Sequence, residues 1–114
     1  MSVTIRHIGK SADDLRFFIS FHGQHAGGIT VHGLREDTFS YGIAISPSMR
    51  QRGIAKAALP LLFAQMRSKG FRRAVVQIAA SNAASLALHR SLGFECIEED
   101  LQHITMALTL TPNG

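Results

Sequence analysis

One cysteine, one tyrosine, three prolines and no tryptophan stand in a chain of 114 residues. The lone thiol, Cys96, excludes an internal disulfide framework and a cysteine-built metal site within one chain. No apolar run approaches the ~20 residues that a bilayer-spanning helix needs. The opening "MSVTIRHIGK" lacks the basic start and apolar stretch of a secretory signal, so the expectation is a cytoplasmic protein without a membrane span. Acids are scarce too: 8 Asp and Glu stand against 12 Lys and Arg, a formal net charge of +4. That balance permits nucleic acid, acidic protein surfaces or polyanionic small molecules as partners. At 46% hydrophobic the chain is ordinary globular material, and its length fits one domain over 1–114.

The pattern along the chain alternates between sheet and helix. "VTIRHI" (3–8) and "LRFFISFH" (15–22) read as strands separated by the short "GKSADD". "GQ" at 23–24 reads as a hairpin turn into "HAGGITVHGL", where Gly27 and Gly28 mark a bulge or a close backbone approach. "FSYGIAIS" is a fourth strand, stopped by Pro47. From Gly53 to Lys69, Leu59, Leu62, Phe63 and Met66 form one apolar helical stripe, with Pro60 expected to kink it and Gly70 to end it. "RRAVVQIAA" (72–80) is a buried strand, and a second helix follows with Asn82 as its N-cap and Gly93 as its stop. "ECIEE" and "HITMALTL" are the last strands. The expected fold is α/β (α+β): a mixed, largely antiparallel twisted sheet with helices packed on it.

"RQRGIAKAAL" (50–59) poses the functional question. A helix N-terminus carries unpaired N–H groups and the positive end of the macrodipole, where Arg50 and Arg52 are unfavourable unless an anion sits there. Strand, glycine-bearing loop and helix N-terminus together make a phosphate-holding device, although neither GxxxxGK[ST] nor GxGxxG is present. A plain strand-to-helix turn with solvated arginines is the competing reading.

"ISPSMRQRGIA" (45–55) resembles the R/Q-x-x-G-x-G/A signature of the GNAT superfamily of acetyl-CoA-dependent N-acyltransferases. "NAASLALHRSLGF" (82–94) resembles that superfamily's second signature, in the expected order and at the expected distance. The resemblance implies that Arg50, Gln51, Arg52, Gly53, Ile54 and Ala55 offer backbone N–H groups to the diphosphate of coenzyme A, with Lys56 on the same helix. It implies that Ile43 and Ile45 pair by backbone with the pantetheine arm, and that the Ile45 N–H is the oxyanion donor. Asn82 adds a polar contact to its capping role. Arg90 either reaches the 3′-phosphate or is a solvated helix residue.

The implied reaction is acetyl transfer from acetyl-CoA to a primary amine by direct attack. Two departures from the family pattern stand out. His89 occupies the position of the usual proton-donating tyrosine, and "GKSADD" replaces the helices that normally cover the acceptor. The second departure leaves an open acceptor side or one closed by a second copy, so a homodimer with its interface near residues 9–14 is expected. No general base stands out: Glu36, His25 and Tyr41 are candidates, as is a water relay. His22 and His25 form an H-x-x-H pair across a turn without further obvious ligands, and no metal is expected. Cys96 is read as a buried structural thiol. The amine-bearing acceptor, small molecule or protein, is not named by the sequence. The alternatives are a catalytically silent CoA-binding regulatory module and, last, a nucleic-acid-binding domain, for which the chain lacks a motif and stacking aromatics.

Overall fold

In a computed structural model, residues 2–10 and 15–110 are described. Their elements run β1 (Val3–Lys10), β2 (Leu15–Phe21), β3 (Gln24–Arg35), β4 (Thr38–Ile45), α1 (Ile54–Ser68), β5 (Arg73–Ala79), α2 (Ala83–Ser91), β6 (Glu95–Glu99) and β7 (His103–Thr109), with a 3-10 turn at Pro47–Met49. The seven strands form one sheet in the order β1-β2-β3-β4-β5-β7-β6. Every neighbouring pair is antiparallel except β4 and β5, which run parallel. This is the mixed, largely antiparallel sheet expected from the order of hairpins and crossover. The connection at 11–14, near which a dimer interface is expected, lies outside the described residues.

Period-two patterning decides which face carries the helices. Phe17 and Ile19, Ile29 and Val31, Phe39 and Tyr41, Ala74, Val76 and Ile78, and Met106 are buried on one side. Against them pack Ile54, Ala58, Leu59, Leu62, Phe63 and Met66 of α1 and Leu86 of α2. Burying each large side chain contributes roughly 1.5–3 kcal/mol. Among the described residues no helix covers the other face, where Ile8 and Phe18 are each 40% exposed. No helix there is long and apolar enough to cross a membrane.

Both helices end as their glycines predict. Gly70 and Gly93 have φ of +96° and +98°, and Phe71 and Phe94 donate their N–H groups back to Met66 and His89. Pro60 lies inside α1, which runs unbroken from Ile54 to Ser68; Pro60 and Lys56, whose carbonyl loses its partner, are both exposed to water. The first hairpin turn is His22-Gly23 rather than Gly23-Gln24. Both residues have positive φ, +51° and +80°, as the two-residue turn that matches strand twist requires.

Cys96 corrects a second expectation: it is exposed, because β6 is an edge strand whose five residues all face solvent. Gly27 meets the close approach expected of it, since a Cβ there would overlap the Ala44 carbonyl oxygen and lie 3.0 Å from the Ile45 Cα. The backbone of β4 cannot yield without disturbing the strand that carries the site. Gly27→Ala is therefore expected to destabilise by about 2 kcal/mol, the range of overpacking. Gly42→Ala, with nothing within 4 Å of its added Cβ, should be neutral or slightly stabilising. Urea unfolding midpoints check the contrast; equal midpoints would contradict it.

Candidate functional site

The parallel pair β4–β5 holds together for only two residue pairs, Thr38 with Arg73 and Phe39 with Ala74. The Ser40 hydroxyl then donates to the Val75 carbonyl at 2.6 Å, and beyond it the strands part. Between them lies a wedge of about 170 Å³, walled by Tyr41, Gly42 and Ile43 on one side and residues 76–79 on the other, with Asn82, Ser85 and His89 of α2 beneath. Strand alternation sets what β4 offers to this gap. The Ser46 N–H bonds to the Ala26 carbonyl on the β3 side at 2.7 Å, so the N–H groups of Ile45 and Ile43 point the other way, into the wedge. The Ile45 carbonyl accepts from Arg50 Nε at 3.0 Å, consistent with that direction.

The wedge leads toward the start of α1. Arg50 is extended (φ −72°, ψ 161°), Gln51 has φ +62°, and Gly53 is left-handed at φ +75°. Gly53 caps α1 without a side-chain bond and no acid stands in the first turn, so the leading N–H groups have neither intrahelical acceptor nor side-chain cap. A hollow of about 430 Å³ opens there, lined by Ile45, Met49, Arg50, Gln51, Gly53, Ile54, Ala55 and Lys56, and by Ala84 and Leu88 of α2. Arg52 and Arg90 are exposed and do not line it. An uncapped helix end beside Arg50 and Lys56 attracts an anion by both dipole and charge.

Asn82 caps α2, its Oδ1 accepting from the Ser85 N–H at 3.1 Å, while the residue also borders the wedge. His89 is buried at 3% exposure. Its Nδ1 lies 2.8 Å from the Ser85 carbonyl and its Nε2 2.9 Å from the Tyr41 hydroxyl, so both ring nitrogens are engaged. Burial pulls His89 below the ordinary histidine value, partly offset by the Ser85 carbonyl, and pushes the Tyr41 phenol far above its usual range. Both are neutral at pH 7.

Of the three candidate bases only Tyr41 reaches the wedge. Glu36 sits exposed in the β3–β4 turn at φ +55°, and His25 packs edge-on against Phe18, 5.1 Å between ring centroids. His22 packs on Phe21, and no cluster of three metal-ligating side chains forms among the described residues. The burial of Tyr41 follows from its alternation with Phe39; its partnership with a residue 48 positions away has no local signal.

Residues 3–94 match the acetyltransferase (GNAT) family. The chain belongs to that family. Among curated relatives, [Ribosomal protein bS18]-alanine N-acetyltransferase of Escherichia coli strain K12 is 29% identical over 80 residues, 70% of this chain and 54% of the relative. Aminoglycoside N(6')-acetyltransferase type 1 of Salmonella typhimurium is 32% identical over 94 residues, 74% of this chain and 65% of the relative. The chain thus spans about half to two thirds of the length of these two curated relatives. A crystal structure of the Escherichia coli ribosomal-protein-S18-alanine N-acetyltransferase superposes with a TM-score of 0.83 at 20% identity, covering 96% of this chain and 95% of that one. Campylobacter jejuni N-acetyltransferase PseH, solved in complex with acetyl coenzyme A, gives 0.78 at 16% identity, covering 89% and 71%. At these identities the two structures establish a shared GNAT fold.

The buried histidine has a consequence for stability. A histidine whose folded pKa is lowered binds its proton more readily when unfolded, so its contribution is complete above 6.5 and is lost as pH falls toward the folded value. Unfolding free energies measured from pH 7.5 to 5 should decline in the parent and decline less in His89→Gln. Parallel curves would contradict the assignment.

Proposed function

We propose that the protein transfers an acetyl group from acetyl-CoA to a primary amine by direct attack, the chain working as one acetyltransferase domain. The observation that carries this reading is the parting of β4 from β5 next to the uncapped start of α1. A long thiol ester with a diphosphate at one end needs those two features side by side. The backbone N–H groups from Gln51 to Lys56, together with the Arg50 and Lys56 charges, hold the diphosphate; Arg52 adds to the positive field from outside the hollow. Ile43 and Ile45 offer N–H groups to the pantetheine arm, that of Ile45 doubling as oxyanion donor. Asn82, which borders the wedge, adds a polar contact to the arm. Arg90, exposed on the last turn of α2, would serve a peripheral phosphate.

The reaction needs a neutral amine at the thioester carbonyl, stabilisation of the developing oxyanion and a proton for the departing thiolate. The relatives' names include a protein alanine and an aminoglycoside as acceptors, so both a peptide N-terminus and a small-molecule amine belong in the substrate class to be tested. A second reading, a CoA-binding module without turnover, draws support from His89, whose two nitrogens are satisfied internally.

Two measurements test the proposal. Acetyl-CoA titrated calorimetrically should bind the parent, and Gly53→Glu should weaken binding at least tenfold by placing a carboxylate at the anion site. Gly53→Ala separates charge from the strain of a left-handed backbone, which costs roughly 1–2 kcal/mol. Thiol release from acetyl-CoA should depend on an added amine. Binding without release for any amine in a broad panel would establish the silent module instead, and unchanged affinity in folded Gly53→Glu would remove the anion site from α1.

A further inference from the structure

Tyr41 and His89 are titratable side chains buried together at the wedge, and the groups around them fix where their protons sit. The Ser85 carbonyl can only accept, so Nδ1, 2.8 Å away, carries a hydrogen. In the neutral ring Nε2 is then bare, and the Tyr41 hydroxyl 2.9 Å from it donates to it. The hydroxyl oxygen keeps free lone-pair capacity beside the cavity. A proton arriving at that oxygen can therefore pass the original hydroxyl proton on to Nε2. The resulting imidazolium is held at both ends, by Ser85 and by Tyr41, and can hand a proton back along the same path.

We propose that Tyr41 and His89 form a two-way proton relay, taking a proton from the incoming ammonium group and returning one to the departing thiolate. The relay rests on the acetyltransferase reading above. In the first half an ammonium N–H bond breaks, the Tyr41 oxygen gains that proton, and the hydroxyl proton moves to Nε2, leaving a neutral amine and an imidazolium. The amine lone pair then forms the C–N bond, and the C–S bond breaks with its electron pair on sulfur. In the second half Tyr41 gives its proton to sulfur while Nε2 returns a proton to the Tyr41 oxygen, restoring the resting pair. The nitrogen's second proton leaves to water, so each turnover of an ammonium substrate releases one proton.

The surroundings suit this role. Tyr41 of β4 is the titratable group that faces His89; Ser85 comes from its own helix. Phe94, just beyond α2, packs edge-on at 4.9 Å, and α1 brings Phe63 against Tyr41 and Phe94. None of these neighbours is charged. Burial keeps His89 neutral and able to accept, and keeps the Tyr41 hydroxyl protonated. The direction of the pH dependence is diagnostic. A relay that starts from neutral His89 gives a kcat/KM that rises with pH through an acid limb below 6.5. A histidine acting alone as imidazolium donor gives the opposite slope, falling as pH rises.

Tyr41→Phe removes one oxygen and leaves the ring. It should lower kcat ~100-fold, the usual scale for losing a general acid or base, with acetyl-CoA affinity within about twofold of the parent. Imidazole nitrogen NMR of the parent, with no substrate present, should show the Nδ1–H tautomer of His89, and Tyr41→Phe should shift the Nε2 resonance. Turnover of Tyr41→Phe equal to the parent on the best acceptor of an amine panel would overturn the relay, as would an Nε2–H tautomer in the parent. A parent that binds no acetyl-CoA would instead bring down the transferase reading, and the relay with it.

Discussion

β4 and β5 run parallel and stay paired for two residues, and the properties of the candidate site follow from where that pairing stops. Each strand is paired along its other side, β4 with β3 (interrupted by one bulge between His32 and Arg35) and β5 with β7, so the sheet can open between them without unravelling. Opening leaves the Ile43 and Ile45 N–H groups of β4 without a strand partner among the described residues, while the Ile45 carbonyl accepts from Arg50 Nε. Such groups cost free energy if buried unmet, and they are tolerable at a gap that water or an extended ligand can fill. The Ser40 hydroxyl, bonded to the Val75 carbonyl, closes the base of that gap.

Two further devices act along β4. At its C-terminal end the chain turns through Pro47–Met49, passes two positive-φ residues and starts α1 with bare N–H groups, concentrating positive potential where β4 releases the backbone. Toward the middle, Tyr41 reaches down to α2 and meets His89. Because the Schellman turn at Gly93 folds Phe94 back onto His89, the imidazole is enclosed on the side away from the wedge. Desolvation there keeps the pair neutral, whereas the helix end stays exposed and cationic. A cationic, uncapped helix end and a neutral buried pair are thus separated along one strand.

Much of this was legible in order of residues alone. Alternation, apolar runs and turn residues located the strands, and the Leu59, Leu62, Phe63, Met66 stripe located the buried face of α1, because these patterns are imposed by burial. The two signatures located the loop at Gly53 and the helix bearing His89, because their geometry demands glycine and a cap at fixed spacing. Other features depend on partners distant in sequence. "ECIEE" does not announce that it will be an edge strand, so the exposure of Cys96 was missed. His22 adopts a left-handed conformation because the hairpin needs it, against its own preference. The Tyr41–His89 bond joins β4 to α2 across 48 residues, and neither residue's neighbours in sequence signal it. The same distance effect bears on the chemistry: His89, read in the sequence at the position of a proton-donating tyrosine, is buried and neutral in the fold.

On the proposed reading, the open edge of β4 and the start of α1 together receive one ligand. Amide hydrogen exchange, resolved residue by residue with and without coenzyme A, tests it most directly. Coenzyme A should slow exchange at Ile43 and Ile45 and across Gln51 to Lys56, leaving the opposite face of the sheet at Phe18 and Gly28 unchanged. Binding of coenzyme A that leaves Ile43 and Ile45 exchanging as before, while slowing amides elsewhere, would contradict it.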